Sequence, residues 1–254
     1  MKISDIAAAV NGIAPFESAC AWDNCGLMCG DENDDVSRVL VTLDADMHAL
    51  KLALKNDCTL VISHHPLIFD PLSAVTADVP AYHFIKNGVA VISAHTCLDA
   101  ADGGINDLLA ERAAICSPQP LFTDGCALGR YGELEAGTEF ENAPLMYIDF
   151  LKERIGSERA DFIIKRPIRR VAVVSGSGGS ALALLHGHGI DTLVTSESKH
   201  EHFVFADNNE LNLITLGHFE TENIIVKPLA RRLEELLPDV RIFTSDRTRL
   251  MQRR

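Results

Sequence analysis

The sequence predicts an α/β protein: two α/β domains with largely parallel sheets and helices packed on them. Three observations carry that prediction. Short apolar runs alternate with stretches of helical periodicity over most of the chain. The alternation breaks once, around 117–129, where proline, glycine and polar residues dominate, so the domains are expected at 1–125 and 126–254. Several apolar runs end in histidines or acids, and open α/β sheets bind ligands in a crevice outside the carboxyl ends of their strands.

The elements follow in order. Ser4 is placed to cap a helix over 5–10. A loop over 21–30, rich in Gly and Cys, holds the only tryptophan, Trp22. A strand over 38–44, a helix over 46–56 and a strand over 60–63 come next. A loop with Pro66, Pro71 and Pro80 leads to a helix over 81–87, a strand over 89–93 and a helix over 104–111. In the second half, strands are expected at 128–134, 161–165, 170–175, 191–195, 211–216 and 240–244. The helices between them are expected at 143–155, 180–188, 199–207 and 220–236. The halves are of similar size but share no residue-level repeat.

Composition excludes some functions. The 254 residues are 47% hydrophobic and 23% charged, as in soluble globular proteins. The net charge of −13 argues against nonspecific nucleic-acid binding, which needs Lys and Arg to displace phosphate counterions. The basic end, 247–254, reads as a frayed tail. Asp5 stands where a signal peptide needs its apolar core, and no run is long enough to span a membrane. The seven cysteines show no paired framework and read as reduced, mostly buried thiols of a cytoplasmic protein.

The strand ends carry the chemistry. The run 60–63 leads into His64-His65-Pro66, which reads either as a metal-binding pair or as two loop histidines. The run 89–93 leads to His95 and Asp99: His95 as ligand, ligand partner or proton donor, Asp99 as ligand or bridge, with Asp102 capping the next helix. His218 and Glu222 open a helix four residues apart, which puts their Cβ atoms about 5–6 Å apart on one face. That spacing suits a shared ion, and equally an ordinary helix start with an acid favoured by the macrodipole. The turn from Gly176 through Gly178 to Ala181 fits G-x-G-x-x-A, with Glu197 as the acid about 20 residues on. It reads as a tight βα turn, with a dinucleotide or anion site as the alternative.

Trp22-Asp23-Asn24-Cys25-Gly26-Leu27, His64-His65-Pro66, His95-Thr96-Cys97-Leu98-Asp99, Gly176-Ser177-Gly178-Gly179 and Gly217-His218-Phe219-Glu220-Thr221-Glu222 occur in this order. Together they resemble the Nif-three-like dinuclear metal proteins, often labelled type 2 homologues of GTP cyclohydrolase 1, from Trp22 nearly to the C-terminus. The resemblance implies two divalent metal ions held by His64, His65, Asp99, His218 and Glu222, in a cleft of a two-domain chain that assembles as a toroidal homohexamer. Ser196 stands where the family commonly has Gly, and Cys97 where it commonly has Asn.

Two such metals about 3.5–4 Å apart lower the pKa of a bound water, which suits hydrolysis. The N/O ligand set suits zinc, iron, manganese, cobalt or nickel. The expectation is a metal-dependent hydrolase acting on a nucleotide or related small molecule, with GTP ring opening implied by the resemblance alone. His95 and Glu197 are the expected proton carriers, and Trp22, Asp23, Gly176 and Gly178 the expected substrate contacts. The rival from another class is a metal-binding scaffold whose ring recruits partners without turnover.

Overall fold

The computed structural model describes residues 1–123, 126–135 and 139–248. The basic end from 249 onward, expected as a frayed tail, lies outside them; Arg247 just before it is anchored, with Nη2 2.6 Å from Asp46 Oδ2. The chain forms two compact units, Met1–Asp102 together with the segment from Ile225, and Gly103–Ile224. The sequence-based boundary at 125/126 differs from this division. The proline-rich texture that suggested it lies inside a strand pair, β5 (Ile115–Thr123) with β6 (Cys126–Leu134), and the last strand rejoins the first unit.

The first unit holds one sheet in the order β1 (Gly26–Cys29), β4 (Ala90–Ser93), β3 (Leu60–His65), β2 (Arg38–Asp44) and β11 (Arg241–Thr244). All its ladders are parallel except β1–β4. β3 and β4 are apolar runs of buried residues, the pattern of parallel strands covered on both faces. Leu40, Val61 and Val91 pack with Ala49, Leu50 and Phe84 of the helices α2 (Met47–Lys55) and α3 (Pro80–Lys86). Each of the Leu, Val and Phe side chains contributes roughly 1.5–3 kcal/mol by leaving water. Asp46 caps α2 by accepting from His48 N at 3.0 Å and Ala49 N at 2.9 Å. Helix α1 (Ile3–Ile13) begins before Ser4, and Asp5 supports its start by accepting from Lys2 N at 2.8 Å. Between β4 and the second unit, 96–100 form a short helix, α4 (Thr96–Ala100), beyond the elements the sequence predicts.

The second unit's sheet is mixed rather than largely parallel, in the order β5-β6-β8-β9-β10-β7. Its parallel centre is β8 (Arg170–Val174), β9 (Thr192–Thr195) and β10 (Asn212–Thr215), and β7 (Asp161–Ile163) joins antiparallel. Leu121, Ala172, Val174, Leu193 and Leu213 form its core with Leu182, Leu185 and Ala206. Helices α5 (Ile105–Arg112), α6 (Pro144–Ile155) and α7 (His200–Asn208) lie near their expected positions. Asp102 does not cap α5: Asp107 accepts from Gly103 N at 2.7 Å. The segment Gly178–His188 is 3₁₀ rather than α-helical. The expected helix over 220–236 is α8 (His218–Glu222), a 3₁₀ turn at Asn223–Ile225 and α9 (Val226–Leu236). Pro228 accounts for the restart, since proline fits the first turn of a helix and not its interior.

Among the described residues, no helix is long and apolar enough to cross a membrane. Cys25, Cys29, Cys58, Cys97 and Cys116 are free thiols.

Candidate metal centre

The first unit gathers His64, His65 and His95 where β2, β3 and β4 end. His64 is buried, and its Nδ1 donates to the Ala94 carbonyl at 3.0 Å. A carbonyl only accepts, so Nδ1 carries the proton and Nε2 of the neutral ring is the lone-pair nitrogen. His65 Nδ1 lies 2.8 Å from Asp44 Oδ1, at the end of the neighbouring strand. His95 Nδ1 lies 2.8 Å from Asp23 Oδ1. Acceptors on Nδ1 orient imidazoles for metal in this way and set their tautomer.

Alternation along a strand sends successive side chains to opposite faces. Where β3 ends, Ser63 Oγ donates to the His65 carbonyl at 2.8 Å. The rings of His64 and His65 stand 4.9 Å apart between centroids, and His95 lies 5.1 Å from the first and 5.7 Å from the second. One potential ligand atom from each of the three falls within 4.8 Å of the others. Asp99, buried on α4, puts Oδ1 3.9 Å from His64 Nε2. The donor set therefore fits a divalent ion: fixed imidazole tautomers, a buried carboxylate and outer acceptors in place.

Asp23 is the anchor of this cluster. Its side chain is 0% exposed, so it is no substrate contact of the kind the sequence suggested. It accepts from His95, from Asn24 N at 2.8 Å, from Thr96 N at 2.9 Å and from the Thr96 hydroxyl. Burial alone would raise its pKa, but the bonds from His95 and Thr96 outweigh it and hold the carboxyl well below the usual range. Burial likewise lowers the His95 pKa, while the Asp23 bond and the charges of Asp99 and Asp23 raise it further, for a net increase. Trp22 is not a core residue. It is 52% exposed, with Phe69 46% exposed beside it at 6.0 Å, and each ring lies within 6.3 Å of His95.

The second unit brings His218, Glu222, Glu197 and Gly176 together. His218 Nε2 lies 2.9 Å from Glu222 Oε2, the spacing that one face of a helical turn predicts. Glu222 is 2% exposed. His218 Nδ1 lies 3.2 Å from Glu197 Oε1, which also accepts from Ser177 Oγ at 2.8 Å. The Ser177 bond and His218 lower the Glu197 pKa against its partial burial. Glu197 is built to orient His218, by the same logic as Asp23 with His95.

The glycine turn supports these residues and is not shaped as an anion cradle. Gly176 N donates to Ser196 Oγ at 2.7 Å, and Gly178 N to Thr195 Oγ1 at 3.0 Å. Amides committed to side-chain oxygens are not presented to a phosphate, which removes the support for Gly176 and Gly178 as substrate contacts and for a dinucleotide site. Gly176 has φ +65° and lies so close to Glu222 that a Cβ would meet its Oε1 at 3.1 Å. A Cβ on Gly178 would meet Thr195 Oγ1 and Val174 Cβ at 2.6 Å. Gly178→Ala should therefore cost roughly 1–3 kcal/mol in urea unfolding; unchanged stability would contradict this packing. Ser196 also accepts from Thr221 Oγ1 at 2.5 Å, tying the turn to α8.

Sequence reasoning missed two supports. Asp44 was visible only as a strand-end acid. Asn106 on α5 clamps Ser175, accepting from its N at 2.9 Å and donating to its Oγ at 3.1 Å. The signal for Asn106 was a polar residue that is 0% exposed, which a sequence does not display.

A family model described as Duf34/NIF3 (NGG1p interacting factor 3) matches residues 1–249. A Clostridium perfringens protein named GTP cyclohydrolase 1 type 2 homolog is 30% identical over 96% of this chain and 96% of its own. A Clostridium acetobutylicum protein of the same name is 31% identical over 96% of this chain and 94% of its own. The crystal structure of a Bacillus cereus protein related to NIF3 shares the fold, with a TM-score of 0.88 at 20% identity, covering 99% of both chains. A match over nearly the whole sequence, with the histidine and carboxylate motifs in the places just described, places this chain in the Duf34/NIF3 family.

Proposed function

We propose that the chain binds two divalent metal ions, with His64, His65 and Asp99 as ligands from the first unit and His218 and Glu222 from the second. We propose further that it is a metal-dependent hydrolase of a nucleotide or related small molecule. The anchoring of three neighbouring imidazoles through Nδ1 supports this reading most directly. The N/O donor set suits zinc, iron, manganese, cobalt or nickel. Bound ions supply Lewis acidity and bring a water's pKa toward neutrality.

The chain's own residues do the rest. Asp23 holds His95 by Nδ1, which leaves Nε2 of the ring to pass a proton to a leaving group. Glu197, expected as a proton carrier, has a lowered pKa and instead positions His218. Trp22 and Phe69 present exposed rings beside His95, suited to stacking on a planar base. The relatives' name favours a purine, and ring opening of GTP is the reaction it suggests. A toroidal homohexamer is the assembly that the resemblance implies, and the cytoplasm is the location that Asp5 near the N-terminus and the cysteine usage suggest.

A non-catalytic ring scaffold is the second reading. Leu72 and Val75, 41% and 49% exposed on the segment between β3 and α3, favour it as apolar surface for assembly. Turnover separates the two. The metal-loaded protein should convert GTP or a related nucleotide, lose that activity on chelation, and show quenching of Trp22, its only tryptophan, by guanosine nucleotides but not by ribose phosphate. No turnover across nucleotides and metals at full metal load would leave the scaffold.

A further inference from the structure

The first unit contains a pair of thiols that the proposed chemistry does not use. Cys25 ends the segment leading into β1, and Cys97 lies on α4. Both are free, and their Sγ atoms are 3.5 Å apart. Cys97 is fully buried and Cys25 half-buried, so reagents reach the pair from the Cys25 side. A disulfide needs S–S of about 2.05 Å, which leaves roughly 1.5 Å of approach for rotation about the two Cα–Cβ bonds and a small backbone shift. Cys25 Sγ also lies 3.3 Å from His95 N and 3.4 Å from Asp23 Oδ2, so the pair adjoins the carboxylate that orients His95.

We propose that Cys25 and Cys97 are a redox-active dithiol that a peroxide converts reversibly to a Cys25–Cys97 disulfide. The Cys25 sulfur attacks one peroxide oxygen, the O–O bond breaks, and water leaves as Cys25 becomes a sulfenic acid. The Cys97 sulfur then displaces the hydroxyl group, forming the S–S bond and a second water. Two electrons pass from sulfur to the peroxide oxygens, and the two thiol protons end in the two waters. The bond draws Cys25 Sγ away from His95 N and Asp23, so oxidation reaches the imidazole cluster through its anchor.

The test is peptide mapping of the full chain after stepwise hydrogen peroxide, with free thiols blocked by iodoacetamide and digestion without reductant. The expected product is a linked Cys25–Cys97 peptide about 2 Da lighter than its two thiol peptides together. It should form while buried Cys58 remains a thiol, and disappear with dithiothreitol. Cys97→Ser should yield no linked peptide and instead a Cys25 sulfenic acid trapped by dimedone. Should that variant not fold, the wild-type map alone decides. Cys25 and Cys97 both blocked as free thiols when exposed Cys116 is already oxidised, or Cys25 linked to another cysteine, overturns the proposal.

Discussion

His64→Ala and Glu222→Ala should each strip metal from the purified chain, which should otherwise carry about two divalent ions. Both side chains are almost completely buried, at 1% and 2% exposure. His64 is held by the Ala94 carbonyl, which fixes the direction of its Nε2. Removal of an outer partner of a metal-bound histidine typically costs about 10–100-fold in affinity. Loss of a ligand itself should exceed that, and Asp44→Asn, which weakens the His65 anchor, should fall within it. His83→Ala is the control, because His83 is a half-buried helix residue bonded to the Ala77 carbonyl, outside the imidazole cluster. Elemental analysis with circular dichroism on each variant checks this. Wild-type protein of normal fold that takes up no metal from any of the candidate ions would sink the ligand set.

The clustering of the candidate motifs was legible because parallel strands announce themselves. β2, β3 and β4 are apolar runs, and the residues that end or follow them, Asp44, His64, His65 and His95, must lie at one edge of their sheet once the ladders form. The pairing of His218 with Glu222 followed from helical spacing alone. What stayed hidden depends on contacts distant in sequence or on weak local signals. β5 contains Pro118 and Pro120, which read as breakers, yet it is an edge strand, where a missing amide donor is tolerated. α4 is five residues long, too short to show a period. Asp23 and His95 are 72 residues apart, and no pattern near either one shows that the acid is buried against the imidazole. The glycine turn is the tight βα turn that its place after a strand suggests: its G-x-G-x-x-A spacing also matches a phosphate loop, but Ser196 and Thr195 supply the oxygens that its amides bind.

Asp23→Asn should be the most destabilising conservative change in the first unit, because the carboxylate is fully enclosed by donors. Asn keeps the shape but offers one acceptor oxygen and an NH₂ group, which would face Thr96 or His95 as donor against donor. Leaving a buried donor without its acceptor costs about 1–3 kcal/mol, and replacing the charge weakens each of the other bonds as well. The expected loss is roughly 3 kcal/mol in urea unfolding of metal-free protein. Its pH dependence has a definite sign. The folded Asp23 pKa lies below the unfolded carboxylate value of about 3.9, so its stabilisation is fully present above that value and is lost as pH falls toward the folded pKa. The wild-type advantage over Asp23→Asn should therefore stay level on the carboxylate's account from about pH 6 to pH 5 and shrink below about pH 4. His95 adds the opposite trend above that window: its raised pKa gives stability that is fully present below its unfolded value of about 6.5 and fades as pH rises through the folded one. Urea melts of both proteins across that range separate the two contributions. An advantage unchanged down to pH 3 would show that the Asp23 charge does not hold His95 and α4 in place.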